Sequence, residues 1–134
     1  MIRVKIYTIG RSKEPWLLSA LEEYEKRLSG SHSLEWIFAK NDTHLGELAE
    51  PGLIALDLAG EMVDSVELSG RLAGKSRLSF FIGGAEGLPK AVVSKAGWKW
   101  SLSRLTFPHQ IVRLLLLEQL YRSVSIERGD PYHK

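Results

Sequence analysis

The chain opens on strict alternation, with apolar Ile2, Val4 and Ile6 set against Arg3, Lys5 and Tyr7. Successive strand side chains point to opposite faces, so this pattern predicts a strand. Gly10 and the polar residues Arg11, Ser12 and Lys13 turn the chain. Ser12 is placed to cap a helix whose first turn holds Glu14 and Pro15, both suited to an N-terminus. Leu17, Leu18, Leu21, Tyr24 and Leu28 mark one face at helical spacing, and Ser29-Gly30 ends the helix. Leu34 to Phe38, aromatic and branched, reads as a second strand. Lys40 to Gly52 has an apolar period only around Leu45 and Leu48, and reads as a loop with at most one helical turn. Leu53 to Leu58 is a near-continuous apolar run of strand length, as in a buried parallel strand. Asp64 with Glu67 three residues on has the form of a capping box, opening a short helix through Val66, Leu68 and Leu72 that stops at Gly74. Leu78 to Ile82 is another buried strand, running into Gly83-Gly84-Ala85-Glu86-Gly87. Pro89 then starts a short helix to about Ala96.

The last third carries the densest pattern. Trp98 to Leu102 is strand-like, and Ser103 to Phe107 is a polar loop without glycine. Pro108 begins a helix with Thr106 as its N-cap, and Gly129 stands where a helix ending near Arg128 needs a left-handed residue. Successive helical residues point about 100° apart, so Leu114 to Leu117 cover the whole circumference. This helix is buried on more than one side. One side faces its own sheet. The other meets a second subunit or, alternatively, the helix is the central core helix of a monomer; apolar surface this extensive favours the dimer. Strands alternating with helices argue an α/β fold with a mostly parallel sheet. No repeat or linker divides residues 1–134, so the chain is expected to be one domain.

Composition changes this picture little. Hydrophobic residues are 44% and charged residues 25% of 134, an ordinary globular balance with room for a modest core. No apolar run approaches the roughly 18 residues that span a membrane, so no membrane partner is expected. The alternating start has no signal-peptide core, and cysteine is absent, which excludes disulfides and thiolate chemistry and fits a cytoplasmic protein. The net charge of +2 decides nothing about nucleic acid. Arg104, Arg113, Arg122, Arg128, His133 and Lys134 cluster late in the chain, and from charge alone a solvated surface is the simpler reading.

Ligands of open parallel sheets bind outside the carboxyl ends of the strands. Three such ends stand out: Leu56-Asp57-Leu58, Ile82-Gly83-Gly84 and Leu102-Ser103-Arg104. The glycine run is not a dinucleotide fingerprint, and no phosphate-binding lysine loop is present. The four histidines lack metal-ligand spacing, so no metal is expected. His109, near a helix start, reads as a capping or packing residue.

Four segments in order carry a resemblance that covers nearly the whole chain. They are Phe81-Ile82-Gly83-Gly84-Ala85-Glu86-Gly87-Leu88, Ser101 to His109, Glu118-Gln119-Leu120-Tyr121-Arg122 and Pro131-Tyr132-His133-Lys134. Together they resemble the RlmH family, bacterial ribosomal RNA large-subunit methyltransferases of the SPOUT class. The resemblance implies a trefoil-knotted α/β domain whose last segment is threaded through a loop, and a homodimer through the last helix. It implies S-adenosylmethionine held by Leu56, Gly83, Gly84, Leu102, Ser103, Arg104, Leu105, Thr106 and Phe107. The substrate it implies is N3 of pseudouridine 1915 of 23S rRNA, in the assembled ribosome. Tyr132, His133 and Arg122 are the implied catalytic group, with Arg122 and Lys134 toward the RNA. His133 is the candidate proton acceptor, Tyr132 a stacking surface, and Arg122 and Lys134 hold negative charge. Two alternatives remain: a non-catalytic ribosome- or RNA-binding module of the same fold, and a SPOUT methyltransferase for another RNA such as tRNA. The chain is shorter than typical members between Ala39 and Gly52, and it carries Ala85 where relatives often have proline or serine.

Overall fold

The computed structural model describes residues 1–134. Its elements are β1 (Ile2–Ile9), α1 (Pro15–Leu28), β2 (His32–Ala39), α2 (Asp42–Leu48), β3 (Leu53–Met62), α3 (Ser65–Leu72), β4 (Arg77–Ile82), α4 (Lys90–Val93), β5 (Ala96–Ser101) and α5 (His109–Arg128). The strands form one sheet in the order β2-β1-β4-β3-β5, every pairing parallel. Helices cover both faces, which explains the near-continuous apolar runs of β3 and β4.

The period of two sorts the core. Ile6 and Phe80, paired across β1 and β4, face α1, α3 and α5. Their neighbours Tyr7 and Phe81 face the opposite layer, where α2 and α4 contribute Leu45 and Val92. Tyr7 and Phe81 stack with ring centroids 4.3 Å apart. Ile6 and Phe80 are wholly buried, and burial of this kind stabilises by about 1.5–3 kcal/mol per large apolar side chain.

β3 and β5 pair as far as Leu56 and Trp100; β3 then loops out residues 57–60 and rejoins at Glu61 and Met62. A Cβ on Gly60 would lie 2.6 Å from the carbonyl carbon of Lys99, so only glycine permits this approach. The strand is therefore longer than the apolar run ending at Leu58, because the added residues are mostly solvent-facing and held by the β5 ladder.

Several local expectations hold. Asp64 Oδ1 accepts from the Glu67 amide while Glu67 accepts from the Asp64 amide, completing the capping box of α3. Gly129 ends α5 with φ of 74°. Others are corrected. Lys40 to Gly52 is not simply a loop: α2 forms because the Asn41 side chain accepts from the His44 amide. The N-cap of α1 is Glu14 and that of α5 is Pro108, neither with a side-chain cap bond. Ser12 instead donates to Gln110 and accepts from Arg113, so its hydroxyl ties α1's approach to α5. Thr106 stays in the preceding loop, exposed. The short α4 stops at Val93, and Ala96 opens β5.

α5 returns from the edge strand to lie between α1 and α3. Leu116, Leu117 and Leu120 are buried under it, while Ile111, Val112, Leu114 and Leu115 are half-buried. Much of the all-round burial expected of this helix is thus supplied within one chain. Arg113, placed with the basic surface by sequence, is instead fully buried. It donates to Ser12 Oγ, Thr8 Oγ1 and the Ile9 carbonyl, while its Nε has no partner. Burial pulls its pKa down to about 10.

Candidate active site

Two clefts meet where β3, β4 and β5 end. The larger has a volume near 740 Å³, within the range of small-molecule sites. Leu56 and Asp57 enter it from β3, Ile82, Gly83 and Gly84 from the end of β4, and Leu102 to Phe107 from the segment after β5, except for Arg104. Of the residues expected to hold the methyl donor, only Arg104 is off its wall; it is exposed beside the cleft.

The glycine turn shapes one side. Gly84 and Gly87 form an isolated bridge, with the Gly87 amide donating to the Gly84 carbonyl at 3.1 Å. A Cβ at Gly83 would lie 2.4 Å from the Gly87 carbonyl carbon. The chain doubles back so tightly here that no side chain fits, and backbone forms the wall. Opposite, the segment after β5 has its own small network: Ser101 Oγ donates to the Ser103 carbonyl, and Ser103 Oγ accepts from the Leu105 amide at 3.0 Å. These bonds order a stretch that has no regular structure. His109, read from sequence as a packing residue, also lines the cleft. Burial, and then the neighbouring Arg113, hold its pKa below the usual imidazole value, so the ring is uncharged at neutral pH. The cleft is therefore an apolar slot with backbone walls, neutral polar groups and one carboxylate, Asp57. That lining fits a small molecule with a flat, largely apolar part and a cationic group within reach of a carboxylate.

The second cleft, near 480 Å³, shares Trp100, Leu102, Ser103 and Phe107 with the first. Its other lining residues include Asp64, Ser65, Gln119 and His133. The last residues are pinned to α5 around one carboxylate. Glu118 Oε2 accepts from Arg122 Nη2 at 2.7 Å, from Arg122 Nε at 3.1 Å and from the Tyr132 hydroxyl at 2.8 Å. Its Oε1 accepts from Gln119 Nε2 at 2.8 Å. Because Tyr132 donates to Glu118, the 3.0 Å contact between the Tyr24 and Tyr132 hydroxyls has Tyr24 as donor. Arg122 in turn reaches His133 Nδ1 at 3.0 Å and lies 4.9 Å over the Tyr132 ring.

The electrostatics follow from this packing. Burial, then the Tyr24 and Glu118 hydrogen bonds, push the Tyr132 phenol well above its ordinary value, so it remains a protonated donor. The Glu118 bond raises Arg122. Arg122, Tyr132 and His133 are thus brought together, while Lys134 stands exposed. Sequence reasoning gave Glu118 and Tyr24 no role in the site, and marked Asp57 only as part of a strand end. The signal for Glu118 was its i,i+4 spacing to Arg122 on a helix.

No helix is long and apolar enough to cross a membrane, and no group of three or more His, Asp or Glu side chains is placed to hold a metal. A parallel five-stranded sheet with a cleft at its carboxyl ends, backed by a glycine turn, is the frame of a SPOUT-type methyltransferase. The family model described as "Predicted SPOUT methyltransferase" matches residues 2–133. The chain is similar to the ribosomal RNA large subunit methyltransferase H of Moorella thermoacetica, 38% identical over 160 residues with all of both chains covered. A similar match, 38% identical over 159 residues, covers 99% of this chain and 100% of the protein of that name from Clostridium botulinum. A probable methylase family protein from Haemophilus influenzae Rd KW20 shares the fold with a TM-score of 0.61 at 12% identity, covering 98% of this chain and 70% of that one. The chain belongs to the SPOUT methyltransferases, and within them to the RlmH type.

Proposed function

We propose that this protein transfers the methyl group of S-adenosylmethionine to N3 of pseudouridine 1915 in 23S rRNA, on the assembled ribosome in the cytoplasm. The observation that carries the reading is the larger cleft, whose walls are the segments expected to hold the donor. S-adenosylmethionine supplies an electrophilic methyl on a sulfonium. The rest falls to this chain: the glycine turn and the segment 102–107 orient the donor and exclude water, so that binding energy is spent on alignment. His133 lines the adjoining cleft, where the acceptor ring enters, with Arg122 bonded to it and Tyr132 held beside them on Glu118. An imide nitrogen attacks only after losing its proton, so groups that stabilise the resulting anion lower the barrier. Arg122 and Lys134 serve the RNA, whose backbone contacts position the protein and weaken as salt rises.

The active form in this reading is a homodimer of single domains, residues 1–134, joined through α5. Half-buried Ile111, Leu114 and Leu115, with exposed Leu18 and Val66 on the flanking helices, support it. The reading includes a trefoil threading of the last segment, supported by the return of α5 from the edge strand to a place between α1 and α3.

The test is transfer of labelled methyl from S-adenosylmethionine to ribosomes lacking the modification, beside free 23S rRNA and bulk tRNA, with the labelled nucleoside mapped. Label on the pseudouridine only in ribosomes is expected. Label on tRNA overturns the substrate, and absence of S-adenosylmethionine binding favours a non-catalytic RNA-binding module.

A further inference from the structure

The proton acceptor for an imide is commonly sought in a histidine, yet the bonds around His133 point the other way. A guanidinium has donors and no acceptor. The 3.0 Å contact between Arg122 Nη1 and His133 Nδ1 therefore requires Nδ1 to accept. With Nδ1 bare and engaged, a neutral imidazole carries its hydrogen on Nε2. The ring is then a donor toward the cleft it lines, and it cannot take up a proton without surrendering the Arg122 bond. Arg122 itself is not free to turn. Two of its nitrogens are held by Glu118 Oε2, which also receives the Tyr132 hydroxyl. One carboxylate thus sets the rotamer of the arginine, the arginine sets the tautomer of the histidine, and the same carboxylate anchors the neighbouring tyrosine.

We infer that Glu118 is a positioning residue which, through Arg122, holds His133 as an Nε2–H hydrogen-bond donor to a carbonyl oxygen of the acceptor ring. This rests on the methyl-transfer reading given above. In the step it serves, the imide N–H proton leaves to solvent and the negative charge spreads onto the ring carbonyls, where His133 Nε2–H meets it. The nitrogen lone pair then forms the N–CH₃ bond as the S–CH₃ bond breaks, and the sulfonium becomes a neutral thioether. No proton passes to His133. The other groups facing this arrangement are Tyr24 and Arg27 from α1, the latter 4.8 Å over the Tyr24 ring and ion-paired with Glu23, and Asp64 at the start of α3, which is engaged by its capping box.

Two measurements test this on the full chain. The first is ¹⁵N NMR of the imidazole nitrogens, with His133→Gln identifying the signals. The wild type is expected to show Nε2 protonated and Nδ1 bare, and Glu118→Gln and Glu118→Ala to show exchange between tautomers with the remaining spectrum folded. A hydrogen on Nδ1 in the wild type, or an unchanged tautomer in both Glu118 variants, overturns the inference. The second is the pH profile of methyl transfer. Glutamine can place its amide N–H near the position of Nε2 but cannot act as a base. His133→Gln is expected to keep its rate within about tenfold and run parallel to the wild type, whereas His133→Ala loses about 10²–10³ in kcat, as for a lost anion-stabilising donor. Glu118→Gln is expected to lower kcat by about 10–100-fold, as lost orienting groups do elsewhere, with S-adenosylmethionine affinity within about twofold of wild type because Glu118 is off that cleft. A limb of the wild-type profile that disappears in His133→Gln identifies His133 as the base and overturns the donor role. A wild type inactive on every RNA overturns the reaction, and the NMR result then decides the Glu118 orientation alone.

Discussion

Gly83→Ala is the sharpest perturbation of the larger cleft. The added Cβ would lie 2.4 Å from the Gly87 carbonyl carbon, 2.5 Å from its oxygen and 2.8 Å from the Leu88 nitrogen. Ordinary carbon contacts are about 3.5–4.0 Å, so the overlap is about 1 Å or more and falls on backbone that cannot rotate away. The turn must open by that amount. As overpacking this costs about 1–3 kcal/mol of stability. The displaced backbone is also a wall of the cleft, and a loss of about 1.4 kcal/mol in binding is a tenfold rise in Kd. Gly84→Ala is the matched control. Its Cβ meets Ile9 Cδ1 at 3.5 Å, an ordinary contact, and its backbone is outside the left-handed region. There alanine narrows the unfolded ensemble and stabilises by up to about 1 kcal/mol. The assay is a urea melt and a calorimetric titration with S-adenosylmethionine for each variant. The expected result is a destabilised Gly83→Ala with at least about tenfold weaker binding, beside a Gly84→Ala at least as stable as wild type. Equal stability and affinity in both variants would refute the claim that the turn's tightness forms the site.

Three further outcomes are expected. Deleting Tyr132 to Lys134 should leave S-adenosylmethionine affinity unchanged, since none of these residues lines the larger cleft, and should abolish methyl transfer to ribosomes; retained transfer removes the tail from the chemistry. Leu117→Ala, at a wholly buried site under α5, should cost about 2–5 kcal/mol in a urea melt, and a loss below about 1 kcal/mol would show a poorly packed helix. His32 and His109 are both held below the ordinary imidazole pKa chiefly by burial, so the unfolded chain takes up protons that the folded chain resists. Stability should therefore fall as pH drops through the ordinary imidazole value of about 6.5 and level off below the folded values; His32→Gln should flatten that fall, and an unchanged slope would place the effect elsewhere.

The sheet was readable because each strand carries either alternation or a buried apolar run, and the capping box at Asp64 and the stop at Gly129 are local chemistry. The larger cleft was readable as three strand ends plus a resemblance in the segments that form them. What stayed hidden depends on distant partners. Asn41 caps α2 in a stretch whose only apolar cue was Leu45 and Leu48. Nothing near Gly60 in the chain announces the Lys99 backbone against which it packs. Arg113 looks like any surface cation until folding brings Ser12, Thr8 and Ile9 around it. Glu118 takes on its importance only when residues 131–134 fold back onto α5.

The place of α5 between α1 and α3 also sets a timetable for making the protein. Leu17, Leu21, Leu68 and Leu72 share their core with Leu116, Leu117 and Leu120, yet among these elements α5 is translated last. At about 5–20 residues per second, the interval between completing α1 and completing α5 is about 5–20 s. From the completion of α3 onward the nascent chain carries two helices with uncovered apolar faces, and until α5 is made neither cleft has its final wall. The site is thus the last part of the molecule to be built, and translation that stops before α5 leaves a chain that lacks part of its core and a wall of each cleft.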